Sequence, residues 1–194
     1  MGEKKIDTSL LDKAIKFAVE AHSGVERRGK GYPYIVHPME AVAIVATVTS
    51  DQELLAAAAL HDVVEDTKYT EEDIRKTFGD RIASLVASET DLVVTGKNES
   101  ESWKERKQYA IDRLKNLSYD AKLVSIGDKL SNARAMLYDY MTMGEKLWDK
   151  FHVNDPKLHA WHYKGLRDAM VELKGTFPYQ EFCDIIDKLF NKYQ

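Results

Sequence analysis

The feature that most constrains this chain is the spacing of its apolar residues, which recur every three or four positions along most of its length. One such stripe lies between residues 10 and 22, ends before Gly24, and contains Leu10, Ala14, Phe17, Ala18 and Ala21. This spacing places side chains on one face of an α-helix. No stretch alternates apolar and polar residues over more than a few positions, so the sequence predicts no sheet. We therefore expect an all-α protein.

Helix boundaries follow from capping residues and from the few glycines and prolines, which lie mostly between the apolar stripes. Pro38 suits a first helical turn, Ser50 or Asp51 suits an N-cap, and Thr70 opens a helix that closes on Gly79. Helices are predicted over residues 10–22, 38–48, 50–66, 70–79, 80–92, 102–116, 119–141, 156–174 and 179–192. The most flexible stretch is expected at 95–102, "TGKNESES".

The domain organisation is expected to be simple. The chain has 194 residues, which is enough for one substantial domain and short for two at about 150 residues per domain. It contains no repeat, no low-complexity tract and no linker rich in proline or serine. We expect one domain over residues 1–194, with no room for a further catalytic or regulatory domain.

Composition excludes several classes of protein. No apolar run approaches the ~20 residues that cross a bilayer, and the charged start lacks the apolar core of a signal peptide. The single cysteine, Cys183, excludes an internal disulfide and fits a reducing cytoplasm. The net charge of −4 does not favour nucleic acid as a partner. We expect a cytoplasmic protein with neither a nucleic-acid nor a membrane partner; its oligomeric state is not indicated.

The stretch "ALHDVVEDT", residues 59–67, concentrates groups that bind metals or transfer protons. In one continuous helix, Ala58, His61, Asp62 and Glu65 share a face, and Asp66 borders it. A neutral imidazole beside a carboxylate is a good pair of ligands for a divalent transition metal. The alternative is a buried core histidine followed by a solvated helix end, although acids there oppose the helix dipole.

Two other segments offer partners for this pair. His37 directly precedes a predicted helix and either projects inward or acts as a capping residue. Asp128 lies among apolar neighbours in "VSIGDKLSNARA", where burial of a carboxylate is costly without a cation or hydrogen bonds. Asn132 lies one turn later on the same face. The alternative for Asp128 is a surface network with Lys129 or Arg134.

Together, "PYIVHP", "HDVVEDT" and "GDKLSN" resemble the motifs of the HD-domain metal phosphohydrolases, and more narrowly the hydrolase domain of the RelA/SpoT family. The resemblance covers roughly residues 8–175 and extends to the family's small stand-alone alarmone hydrolases. It implies a helical-bundle HD-domain fold and one divalent metal ion, usually Mn²⁺. The ligands that it implies are His37, His61, Asp62 and Asp128. Glu65 and Asp66 match the acidic pair that serves catalysis.

The same resemblance implies a set of substrate-binding residues. Arg28 matches an arginine that stacks on the nucleobase, and Asn132 matches an asparagine that contacts the nucleotide. The loop "ERRGKGYPYI" departs from the family pattern, so Arg27, Arg28 and Lys30 all stay candidates for the contact with the base. Tyr163 is a further candidate for the nucleotide pocket, although an aromatic cluster is more often core.

Three histidines lie outside any matched motif: His152, His159 and His162. His22 is expected to pack or to support the site. The implied reaction is hydrolysis of guanosine 3′-diphosphate 5′-di(tri)phosphate, (p)ppGpp, to GDP or GTP and pyrophosphate. The alternatives are an adenosine alarmone, (p)ppApp, or the 2′-phosphate of NADPH. More distant are an HD phosphohydrolase for dNTPs or cyclic nucleotides, and a catalytically silent nucleotide-binding module.

Overall fold

The computed structural model describes residues 6–90, 95–96 and 98–193, and within them every regular element is helical. The only pairing of β type there is an isolated bridge between Glu26 and Pro33. The prediction of an all-α protein is thus confirmed. The chain divides into two compact units, Met1–Thr90 and Asp91–Gln194. The single domain expected over residues 1–194 stays a prediction.

The described residues of the first unit form six helices, three of which pack against a fourth. They are α1 (Ser9–Ala21), α2 (Val36–Ala46), α3 (Gln52–Leu60), α4 (Val63–Asp66), α5 (Glu71–Phe78) and α6 (Asp80–Ala87). Helix α3 packs against α1, α2 and α6. All its residues from Leu54 to Leu60 are buried, as expected of a helix that is apolar on every side. Its four alanines let neighbouring helices approach closely.

The part of the second unit that the structure describes contains four α-helices and two 3-10 helices. The α-helices are α7 (Glu99–Lys115), α8 (Tyr119–Met143), α9 (Pro156–Ala169) and α10 (Phe177–Phe190), and the 3-10 helices cover Gly144–Lys150 and Val171–Leu173. Helix α8 packs against α10 and both 3-10 helices, and α9 packs against α7 and α10. Gly165 allows the close approach of α9 to α7, because a Cβ there would lie 2.5 Å from Ile111 Cδ1.

Capping residues explain most of the boundaries. Asp51 caps α3 by accepting from the amide of Glu53. Thr70 and Asp73 form a capping box at the start of α5, which ends at Gly79 with φ of 92°. Asn98 caps α7, which therefore begins inside the stretch that the sequence predicts to be most flexible. Lys97 of that stretch lies outside the described residues.

Several predicted boundaries are wrong. Helix α2 begins at Val36, before His37, so Pro38 is its third residue. Helix α6 ends at Ala87, short of the predicted end at residue 92; residues 91 and 92 lie outside the described ranges. The helix predicted over 156–174 ends at Ala169 and continues as a 3-10 turn. Within the described part of the chain, no helix combines the length and apolar composition needed to cross a membrane.

Candidate active site

The predicted helix over residues 50–66 is interrupted at His61 and Asp62, which corrects the assumption of one continuous face. His61 Nδ1 lies 2.8 Å from the carbonyl oxygen of Ala58. In an uninterrupted helix that carbonyl accepts from the amide of Asp62, so the imidazole competes with the helix for the same acceptor. Helix α3 ends at Leu60, and α4 begins at Val63 with Asp62 as its N-cap residue.

This hydrogen bond also fixes the tautomer of His61. A carbonyl oxygen can only accept, so Nδ1 carries a proton, and in the neutral ring Nε2 then presents a lone pair. His61 is 1% exposed, which holds that lone pair away from bulk water. A metal-binding histidine commonly donates its second ring nitrogen to a backbone carbonyl in this way. The hydrogen bond therefore prepares His61 Nε2 as a ligand atom.

His37 presents its ring to the same point. It is the second residue of α2 and is 3% exposed. Its Nε2 lies 3.2 Å from His61 Nε2 and 3.4 Å from Asp62 Oδ2, while His61 Nε2 lies 3.0 Å from that carboxylate oxygen. Three of the residues that the family resemblance implies as metal ligands, His37, His61 and Asp62, thus bring their ligand atoms together within the first unit.

The separations of these atoms fit a bound cation. Ligand atoms about 2.1 Å from one ion lie roughly 3.0–3.4 Å from one another in tetrahedral or octahedral geometry. Two imidazole nitrogens and a carboxylate oxygen suit a divalent transition metal, and none of these three atoms is a thiolate that would select a softer ion. The alternative of an ordinary core histidine does not explain why His37 Nε2 and Asp62 Oδ2 both approach its lone pair.

Tyr34 is a member of this cluster that sequence reasoning missed. Its hydroxyl donates to Asp62 Oδ2 at 2.7 Å, across 28 positions of sequence. Burial raises the pKa of Tyr34, and the nearby carboxylates of Asp62 and Asp66 raise it further. The hydroxyl therefore stays protonated and acts as a donor. The only signal in the sequence was its position three residues before His37, inside the quoted motif "PYIVHP".

His22 packs beside this cluster, as expected. It is 3% exposed, and its ring stacks on that of Tyr34 with centroids 4.8 Å apart and an interplanar angle of 29°. Its buried Nε2 has no hydrogen-bond partner among the described residues. Burial lowers the pKa of His22, and this outweighs the opposing effect of Asp62 and Asp66. The imidazole is therefore neutral near pH 7.

Glu65 and Asp66 both lie on α4, and both are exposed. They do not share a buried face with His61, because the break before α4 turns Val63 inward in their place. Asp66 is tied to the cluster through its backbone, since its amide donates to the carbonyl of Asp62 at 2.9 Å. The structure thus leaves the carboxylates of Glu65 and Asp66 accessible to solvent, directly after the candidate metal ligands His61 and Asp62.

The basic candidates lie on a loop between α1 and α2 that is closed by backbone hydrogen bonds. The amide of Arg27 donates to Tyr32 and the amide of Tyr34 donates to Val25, at 2.9 and 2.8 Å. The Arg27 guanidinium lies over the Tyr34 ring, 5.2 Å from its centroid. Arg28 is exposed, and Lys30 is half-buried.

The remaining candidates belong to the second unit. Asp128 is 6% exposed on α8, and its carboxylate accepts from Lys129 and from the side-chain amide of Asn132. The guanidinium of Arg134, on the same helix, pairs with Glu181 at 2.6 Å. The buried carboxylate is thus hydrogen-bonded on both oxygens, which offsets part of its burial cost.

Tyr163 lies in an aromatic cluster formed by α9 and α10. Its ring centroid is 5.6 Å from that of Phe190, 6.1 Å from that of Phe182 and 5.6 Å from that of His162. This is the packing expected of a core aromatic side chain. Tyr163 is half-buried, so part of the ring is still accessible.

Comparison with known proteins identifies relatives over most of the chain. A sequence model of the HD domain matches residues 14–144. The chain is 35% identical over 130 residues to the guanosine-3′,5′-bis(diphosphate) 3′-pyrophosphohydrolase MESH1 of Danio rerio, which is 66% of this chain and 69% of that protein. It is 34% identical over 192 residues to a GTP pyrophosphokinase of Streptomyces coelicolor, covering 97% of this chain. The chain spans only 22% of the length of that relative.

The solved structures that resemble this one include two with 25% or more sequence identity. The crystal structure of lmo0812 from Listeria monocytogenes EGD-e has a TM-score of 0.69 and 30% identity, and the match covers 80% of this chain and 99% of that one. A metazoan ortholog of SpoT, described as hydrolysing ppGpp and acting in starvation responses, has a TM-score of 0.74 and 25% identity. That match covers 95% of this chain and 97% of the ortholog.

Proposed function

Because this chain belongs to the HD-domain family and is of the RelA/SpoT hydrolase type, we propose that it hydrolyses (p)ppGpp to GDP or GTP and pyrophosphate. The observation that carries the proposal is the convergence of His37 Nε2, His61 Nε2 and Asp62 Oδ2 beside two accessible carboxylates. The names of the Danio rerio relative and of the metazoan ortholog supply the substrate class. The proposed site of action is the cytoplasm.

The proposed cofactor is one Mn²⁺ ion held by His37, His61, Asp62 and Asp128. The first three are supported by their mutual distances, and the fourth by the family resemblance and by its burial as a carboxylate. When bound, such an ion lowers the pKa of a coordinated water and polarises a phosphoryl oxygen. No serine, cysteine or lysine nucleophile is then required.

Glu65 and Asp66 are proposed to transfer the protons of the reaction. One accepts a proton from the attacking water, and the other supplies a proton to the leaving 3′-oxygen of the ribose. Their exposure on the short helix α4 supports this role, because a carboxylate buried in the core would not reach a nucleotide. General acid–base groups typically contribute ~10²–10⁴-fold in rate.

The substrate is proposed to bind through Arg28, Lys30, Asn132 and Tyr163. The position of Arg27 over Tyr34 favours the exposed Arg28 as the residue that stacks on the base. Asn132 already donates to Asp128, so a nucleotide contact must use its amide oxygen or its second amide hydrogen. A polyphosphate needs cations on a protein whose net charge is −4, and the basic loop supplies them.

A substrate panel in the presence of Mn²⁺ tests this proposal. It compares guanosine and adenosine 3′-diphosphate 5′-diphosphates with NADPH and scores release of pyrophosphate against orthophosphate. We expect pyrophosphate and GDP from the guanosine substrate. Release of orthophosphate from NADPH alone would instead assign a 2′-phosphatase activity. Activity on the adenosine substrate alone would assign an adenosine alarmone as the substrate.

Variants of the acidic pair separate metal binding from catalysis. Glu65→Gln and Asp66→Asn keep the shape of each side chain, so metal content should persist while turnover falls by at least ~10²-fold. Glu20→Gln is a matched control, because Glu20 is an exposed acid on α1 of the same unit. Parent-like turnover in either variant would contradict the role of that residue.

A further inference from the structure

The hydroxyl of Tyr34 contacts the carboxylate oxygen that both imidazoles approach. Asp62 Oδ2 accepts from Tyr34 at 2.7 Å and lies 3.0 Å from His61 Nε2 and 3.4 Å from His37 Nε2. A carboxylate oxygen has two lone pairs, so one can accept from the hydroxyl while the other faces the imidazoles. The hydrogen bond selects one rotation of the Asp62 carboxylate.

We propose that Tyr34 is a positioning residue that holds Asp62 in the orientation required to bind the metal ion. This inference rests on the proposed function, because it takes Asp62 to be a ligand. Residues that hydrogen-bond a metal ligand typically change metal affinity by about 10–100-fold when they are lost. This positioning role needs no contact between Tyr34 and the nucleotide.

The ring of Tyr34 is itself in contact with two other side chains. His22 stacks on it at 4.8 Å, and the Arg27 guanidinium lies 5.2 Å from its centroid. The amide of Tyr34 donates to Val25, which fixes the backbone. The imidazole of His22 has a buried Nε2 without a partner among the described residues, which is a cost to stability. The geometry assigns His22 a packing role, in which the flat face of its ring supports the ring of Tyr34.

The test is a titration of the metal-free protein with Mn²⁺, in which electron paramagnetic resonance measures the free ion. Tyr34→Phe removes only the hydroxyl, and we expect its dissociation constant for Mn²⁺ to rise about 10-fold or more. Tyr69→Phe is the matched control, because Tyr69 lies in the same unit and its ring packs on Phe17 at 4.6 Å without a described hydrogen bond at its hydroxyl. That variant should bind like the parent.

Two variants of His22 test the support of the ring. His22→Phe keeps a flat ring and should keep near-parental Mn²⁺ affinity, whereas His22→Ala removes the stack and should weaken binding. Unchanged affinity in Tyr34→Phe would overturn the positioning role and leave the proposed function standing. Failure of the parent to bind Mn²⁺ would overturn both. No nucleotide is present, so an error in the substrate does not affect the result.

Discussion

Lys122 on α8 is 2% exposed, yet its ammonium group has two acceptors. Its Nζ donates to the carbonyl of Lys115 at 3.1 Å and to Glu172 Oε2 at 2.9 Å. Lys115 is the last residue of α7, where carbonyls lack partners within the helix. The contacts tie α8, which carries Asp128, to the end of α7 and to the turn after α9.

Removal of Glu172 and removal of the Lys122 charge should change the free energy of unfolding by different amounts. Glu172→Ala leaves a buried charge with one acceptor, and a hydrogen bond to a charged group is worth about 1.5–3 kcal/mol. Because the Glu172 side chain is 57% exposed, water replaces part of that contact, and we expect a loss of about 1–2 kcal/mol. Lys122→Met removes the charge together with its desolvation cost and keeps the apolar stem, so we expect a change within ~1 kcal/mol.

Urea unfolding followed by tryptophan fluorescence measures these differences, because Trp103, Trp148 and Trp161 all lie in the second unit. The double variant should match Lys122→Met within about 0.5 kcal/mol, since Glu172 then has no charge to stabilise. A larger loss for Lys122→Met than for Glu172→Ala, or additive losses in the double variant, would refute this reasoning.

Two further predictions concern histidines. His61→Ala should abolish binding of the metal ion because it removes a ligand, and it should lower thermal stability because it leaves a cavity in place of a side chain that is 1% exposed. Elemental analysis checks the first, the exposed His152→Ala is the control, and full metal content would contradict it. Burial lowers the pKa of His162 well below 6.5, and Lys107 lowers it further by a smaller amount. As the pH falls below about 6.5, the His162 imidazole therefore takes up a proton in the unfolded state but not in the folded state. Stability should therefore decrease toward pH 5 by up to ~1.4 kcal/mol per pH unit for this group, and His162→Phe should flatten the slope measured by urea unfolding; identical slopes in parent and variant would be inconsistent with a buried neutral His162.

Local chemistry made much of the fold predictable from sequence. Helix starts at Asp51 and Thr70 and the stop at Gly79 depend on residues within one turn, so their side chains determine the boundary. The 3-10 helix Gly144–Lys150 was not predicted. It begins at Gly144, whose φ of 59° ends α8, and sequence periodicity alone does not distinguish a 3-10 turn from an α-helical one.

The site shows the same division between local and long-range information. The motif containing His61 and Asp62 was recognisable, and so was His37. The break between α3 and α4 was not, because it depends on an imidazole bonding the Ala58 carbonyl in competition with the backbone. The contact between Tyr34 and Asp62 joins residues 28 positions apart, and no helical period connects them.

Hydrolysis of guanosine 3′-diphosphate 5′-diphosphate in water enriched in oxygen-18 tests the central claim most directly. If water attacks the phosphorus joined to the ribose 3′-oxygen, the bond between that phosphorus and oxygen breaks, and pyrophosphate retains the oxygen of the water. Mass spectrometry should then find one oxygen-18 atom in pyrophosphate and none in GDP. Labelled orthophosphate as the first product, or oxygen-18 in GDP, would contradict the account.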